Sequence, residues 1–391
     1  MKPYFEDLAW YDYLLCFVYN GIFSYVLYKI GEVFLNLHHK SLMLIVGAFQ
    51  VYFFVTLADS FFGFLPLHPE SAWYAFMVSS GQYPEDAQVN LLVLYYLSLF
   101  FSIVCLNTPI IYIFLSALLY GIGIMLCIKA WKIFQPAFTE KQEWWSSLLL
   151  LIWPAPLLFL TAPLQQAFVV LGFGLFFNGW VNYIRKNNWK SLLIGSLIMV
   201  ALQFESIFWI VPLVSGTLIL HQPIALWKRL SFVLIVAAAL IIVFAQFLME
   251  SPLTPQAFAD MRNTSIAEAD VYGYGNVYWT TYGEMIKDYP FIVLQFLLAP
   301  LPIFMQFDLA SSPLATIDGI FTAILFLTGI MAIVRHRKGY APLIWLLLFF
   351  IIYLGGSADH WMHAIRDRMP VTILLILVVS TAFPSKNETA T

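Results

Sequence analysis

Charge is the scarcest property of this 391-residue chain, with Asp, Glu, Lys and Arg supplying only 10% of it. A soluble domain carries roughly 25%, so a large water-facing body is excluded. Cysteine is rarer still. Cys16, Cys105 and Cys127 all sit in apolar stretches without a CxxC pair, which leaves neither a disulfide framework nor a thiolate metal site. A net charge of −3 with no basic tract gives nucleic acid nothing to bind. There is no glycine-rich phosphate loop and no DxD pair for a metal-bound sugar nucleotide. The opening residues, MKPYFEDLAWYDY, are acidic and aromatic and lack the basic start of a signal peptide, so insertion through the hydrophobic helices themselves is expected.

What the chain has in abundance is apolar length. Hydrophobic residues make up 61% and aromatics 18%, and many runs reach the ~20 residues that cross a bilayer. The reading is an all-α polytopic transmembrane helix bundle of about 10–13 spans, forming a single integral membrane domain over 1–391. Spans are expected at 41–64, 90–107, 109–134, 145–161, 163–184, 229–249, 312–334, 340–356 and 369–383. Residues 191–220 suit two short passes broken near Gln203 and Glu205, and 11–35, which carries Asp12, Asn20, Lys29 and Glu32, reads as a span or as a helix lying at the interface, with the span preferred. Residues 290–307, interrupted by Pro300 and Pro302, read as a broken or re-entrant helix.

Lysines and arginines cluster at 129–141, 185–190, 228–229 and 335–338, which places those loops in the cytoplasm. Loops 65–89, 250–289 and 357–368 then share the outer face. The parity conflict this creates in 90–134 and 290–334 is met by one re-entrant piece in each. Within the first outer loop, Pro69 to Ser80 predicts a short helix ended by Gly81. Its Trp73, Tyr74 and Phe76 suit the headgroup level.

Charged residues at the membrane are costly and are kept for pathways, partners or reacting groups. Asp59, at the outer end of an early span, is a candidate general base, and Glu70 in the following loop is a second. The stretch SADHWMHAIRDRMP holds His360, His363, Arg366 and Arg368 ahead of the last span. Guanidinium groups there suit a phosphate at the membrane surface, and the histidines suit donation to a phosphate or sugar hydroxyl. A metal held by Asp359, His360 and His363 is possible in principle but not indicated, and no cofactor is expected. In the second loop Arg262 lies among carboxylates and Tyr272, Tyr274, Tyr278 and Tyr282. Rings interleaved with acids fit a carbohydrate site, and equally an interfacial belt. Asn263-Thr264-Ser265 is also a glycosylation sequon, meaningful only in a secretory setting.

An acid ending an early span, a loop with a short interfacial helix (PESAWYAFMVSSGQYP), a long series of spans and an arginine-proline entry to a last helix (IRDRMPVTILLILVV) resemble the GT-C class of polytopic glycosyltransferases. The resemblance covers most of 41–383. It implies a sugar donor carried on polyprenyl phosphate, a glycan or lipid-linked acceptor at the outer face, and a bacterial cytoplasmic membrane. It also implies that Asp59 acts as base or site organiser and that Arg366 or Arg368 contacts the carrier phosphate. One departure is that Ser60, not a second acid, follows Asp59. DYPFIVLQFLLAPLPIFMQF is similar to bacterial exopolysaccharide and O-antigen polymerases, a reading in which Arg262 would matter as much as Arg366 or Arg368 and Asp59 would be dispensable. A transporter or flippase of lipid-linked glycan is the reading from another class, disfavoured by the lack of internal repeats.

Overall fold

Prolines, glycines and asparagines punctuate this chain into helices, and a computed structural model shows where each one acts. It describes residues 2, 5–6, 8–66, 68–82, 92–203, 206–221, 231, 254–269, 275–298, 313–335, 340, 343–344, 346–347, 351 and 361–383. Every regular element among them is helical, so the protein is an all-α helical bundle. The expectations for 229–249, for most of 340–356 and for the Pro300–Pro302 break lie outside the described residues. Among the described residues, five helices are long and apolar enough to cross a membrane: Trp10–Phe34, His39–Phe62, Pro109–Phe134, Gln166–Lys186 and Pro313–Arg335.

The chain divides into two compact units, residues 1–204 with 376–391, and residues 205–375. Unit 1 begins with α1 (Trp10–Lys29), whose first turn is held by the Asp12 carboxylate accepting from Ala9 N–H. A π-helical turn, Ile30–Phe34, continues it. The polar residues that made this segment ambiguous as a span are matched inside it. The Asn20 and Gln50 carboxamides exchange hydrogen bonds at 2.9 and 3.0 Å, and Gln50 also donates to Ser24 Oγ. Gln50 belongs to α2 (His39–Phe62), so an interhelical amide pair removes the cost of carrying these groups in an apolar helix.

Helix α3 (Pro69–Ser80) starts with proline in its first turn and ends on Gly81 at φ +67, as the sequence predicts. Next, α4 (Leu92–Val104) lies within the segment expected as a span at 90–107. Helix α5 (Pro109–Phe134) is the most buried span. The expected span at 145–161 is instead two helices, α6 (Glu140–Ile152) and α7 (Ala155–Phe159), because Pro154 interrupts the ladder between them. They are followed by α8 (Gln166–Lys186) and α9 (Trp189–Leu202).

Close backbone approach organises α5, α8 and α9. A Cβ built on Gly174 would lie 2.5 Å from Gly123 O, and one on Gly123 would lie 2.7 Å from Val170 O. Only hydrogen fits there, so α5 and α8 touch through their main chains, the small-residue packing that lipid-embedded helices favour.

Unit 2 holds α10 (Ile207–His221), α11 (Pro255–Ala269), α12 (Tyr282–Leu298), α13 (Pro313–Arg335) and α14 (Trp361–Asp367). The break expected near Gln203 is present, with Gln203 extended at the end of α9. Helices α12, α13 and α14 pack on one another. The last helix, α15 (Met369–Thr381), follows Arg368 directly.

Candidate functional site

In unit 1 the chain must turn after α2, and the turn is built on Asp59. Gly63 takes a left-handed conformation (φ 60) and donates to Asp59 O at 2.8 Å. The Asp59 carboxylate is fully buried. Its Oδ1 accepts Leu65 N–H at 2.8 Å, and its Oδ2 lies 2.5 Å from Lys2 Nζ. Both oxygens are therefore engaged, one by the loop backbone and one by an ammonium that is itself 5% exposed. A buried carboxylate so paired fixes the path of the chain into α3.

Helix α3 is clamped from its other side. Ser71, Tyr74, Ala75, Met77 and Val78 are buried, while Trp73 and Phe76 are exposed. His68, its N-cap, stacks at 5.2 Å from Phe159 and pairs through Nε2 with Leu158 O at 2.8 Å. A carbonyl only accepts, so Nε2 carries the proton. Tyr74 OH donates to Gln165 Oε1 at 3.2 Å. Glu70 lies in the first turn of this anchored helix, where a helix N-terminus favours negative charge.

In unit 2 the second loop folds on itself. Asn263 Oδ1 accepts Val277 N–H at 2.9 Å, and its Nδ2 donates to Val277 O at 2.8 Å, so one side chain pairs with the backbone as a strand would. Ala259, Trp279 and Ile292 form a small core with Phe258, Val277 and Met285 around it, and Trp279 Nε1 donates to Asp288 at 3.0 Å. The Glu284 carboxylate collects the Thr280 and Thr281 N–H groups and the Thr280 hydroxyl. Hydrogen bonds from Thr280, then from Thr281, hold its carboxyl below the usual range. Arg262 is buried in α11, at 6% exposure.

Arg368 is also buried, at 1% exposure, and its donors go to protein. One Nη donates to Phe296 O and Leu297 O at 3.1 and 3.2 Å, at the C-terminal end of α12, and the other pairs with the Asp318 carboxylate on α13. A cation on the last carbonyls of a helix is well placed, and the planar fork reaches two helices at once. Arg368 thus ties α12 and α13 to the start of α15. Arg366 is more open, at 18%, with Nε 3.3 Å from the neighbouring Asp367 carboxylate. His363 is half-buried in α14.

Asp59 and Glu70 therefore belong to one unit, and Arg262, His363, Arg366 and Arg368 to the other. His360, Tyr272 and Tyr274 lie outside the described residues. Among the described residues no three His, Cys, Asp or Glu side chains gather as a metal would need. Sequence reasoning passed over Lys2 and Asp318. Asp318 had a signal, since it is the only acid in α13, a 23-residue apolar helix. Lys2 had none, because a lysine near the chain start is ordinarily solvated. Comparison with protein-family models, curated proteins and solved structures returns no match for the chain.

Proposed function

We propose that the chain is a membrane-embedded glycosyltransferase of a bacterial cytoplasmic membrane. It moves a sugar from a polyprenyl-phosphate-linked donor to a glycan or lipid-linked acceptor. The observation that carries this reading is the loop after α2, where a buried acid at the end of a span directs the chain into a short, clamped helix with Trp73 and Phe76 outward. An acceptor site beside lipid needs a carboxylate, and Glu70 falls in the first turn of α3.

In this reaction the acceptor oxygen forms a bond to the anomeric carbon as the carbon–oxygen bond to the carrier phosphate breaks. Glu70 takes the hydroxyl proton, and the departing phosphate keeps the electron pair. Asp59 acts as organiser, since both its oxygens are already engaged. In unit 2, Arg366 is of the residue type that suits a carrier phosphate, whose growing charge a guanidinium stabilises, and Arg368, two residues on, anchors the start of the last helix. Arg262, His360, His363, Tyr272 and Tyr274 are assigned to substrate contacts.

The test uses purified protein in lipid nanodiscs with a panel of radiolabelled polyprenyl-phosphate sugars and membrane-extracted acceptors. Glu70→Gln is expected to abolish transfer while leaving the melting temperature unchanged, and Asp59→Asn to lower both. Full transfer by Glu70→Gln would sink the assignment. The polymerase reading draws on the burial of Arg262 in the folded second loop. It requires chain elongation to fail in Arg262→Ala and persist in Glu70→Gln.

A further inference from the structure

Buried serines and threonines in apolar helices usually return their hydroxyl to a carbonyl one turn back. Ser60, Ser146, Ser147 and Ser196 do so in unit 1 at 2.7–3.0 Å. Thr56 on α2 and Ser116 on α5 do not. Both are sealed, at 0% and 1% exposure, and neither hydroxyl has a hydrogen-bond partner among the described residues. The same holds for Tyr52 on α2 and Tyr120 on α5, at 4% and 3%.

These four hydroxyls are ordered in space. The Tyr52 and Tyr120 rings meet edge-on at 6.1 Å, and the neighbouring Phe53 and Phe114 rings lie 4.7 Å apart. Together those two contacts set an antiparallel register for α2 against α5. One turn on along α2 is Thr56, and one turn back along α5 is Ser116, so the second pair stands opposite the first. One more turn along α2 reaches Asp59 and its Lys2 partner. At the other end, Tyr52 and Tyr120 line a small cavity with Ala48, Gly121, Ser147 and Leu150.

We propose that a file of bound water threads unit 1 from the Tyr52–Tyr120 cavity, past Thr56 and Ser116, to the buried Lys2–Asp59 pair. Four sealed hydroxyls in succession, each without a partner among the described residues, are what a water file requires. The cavity has room for about one water molecule rather than for a sugar or an acyl chain. Nothing in this inference depends on the transferase reading.

X-ray radiolytic footprinting tests it directly, because hydroxyl radicals made from a bound water modify the side chains beside it. In the intact protein in nanodiscs, Tyr52 and Tyr120 are expected to be labelled despite their burial. With ¹⁸O-water mixed in shortly before exposure, their label should take up the heavy isotope later than that of Tyr278, which is 80% exposed. Thr56→Val with Ser116→Ala should cut labelling at both tyrosines. Unlabelled tyrosines in the wild type, or labelling unchanged in the double variant, overturns the proposal. A thermal cycle gives a second reading that does not require labelling. Tyr52→Phe and Tyr120→Phe should each lower the melting temperature, and the double variant should lose less than the sum, since both hydroxyls serve one guest. A rise in melting temperature for either single variant would show dry, unsatisfied hydroxyls and overturn it equally.

Discussion

Unit 1 and unit 2 hold their helices by opposite means. In unit 1 the contact of α5 with α8 is main chain against main chain, with Gly123 and Gly174 facing one another. In unit 2 the corresponding job falls to one side chain, Arg368, which spans α12 and α13 through two carbonyls and a carboxylate. Apolar contact draws its energy from many small terms and fails gradually. A buried ion pair concentrates it in one place, and losing one partner strands the other in low dielectric.

That contrast gives its sharpest prediction at Asp318. Asp318→Ala strips the buried Arg368 guanidinium of its carboxylate partner, and should cost about 3–5 kcal/mol. Thermal unfolding in detergent reads it, and adding Arg368→Met should restore most of the loss. In unit 1, Gly174→Ala forces a methyl against the Gly123 carbonyl and should cost about 1–3 kcal/mol, with the spread depending on how far α8 can move away. Should Gly174→Ala prove the more damaging of the two, the contrast between the units would be reversed.

Within unit 2 the second loop is a milder structure. Asn263→Ala removes both bonds to Val277 and should cost about 1–2 kcal/mol, seen as faster amide exchange at Val277. The smallest effect is expected at Glu284, which sits at the surface. Its carboxyl is held below the usual range by the Thr280 and Thr281 donors, so it stabilises the start of α12 at any pH above the ordinary glutamate value. That contribution fades as pH falls through the lowered value in the folded protein. The protection of the Thr280 and Thr281 amides, relative to their intrinsic exchange at each pH, should therefore fall on acidification in the wild type and stay flat in Glu284→Gln.

The helices were more legible than the site. Proline at the start and glycine after the end gave α3 its limits, and the polar pair at Gln203 and Glu205 marked the break between α9 and α10, because these signals are local. Pro154 was a local signal too, but it lay inside an apolar run long enough to pass as one span. Partnerships were not legible. Nothing near Asp59 names Lys2, and nothing near Arg368 names Asp318, which is 50 residues away. A charge read alone at the membrane invites a catalytic role, and only its partner shows that Arg368 holds helices together.

The bond between Asn263 and Val277 has a practical consequence for producing this protein. Asn263 opens the sequon Asn263-Thr264-Ser265, and glycan attachment needs its side-chain nitrogen, which in the folded loop donates to Val277 O. A secretory host could modify that position only while the chain is still emerging from the ribosome, and the attached sugar would then keep the loop from closing. A glycan at this residue would thus act as a timer, marking molecules whose second loop had not closed when the modifying enzyme met it.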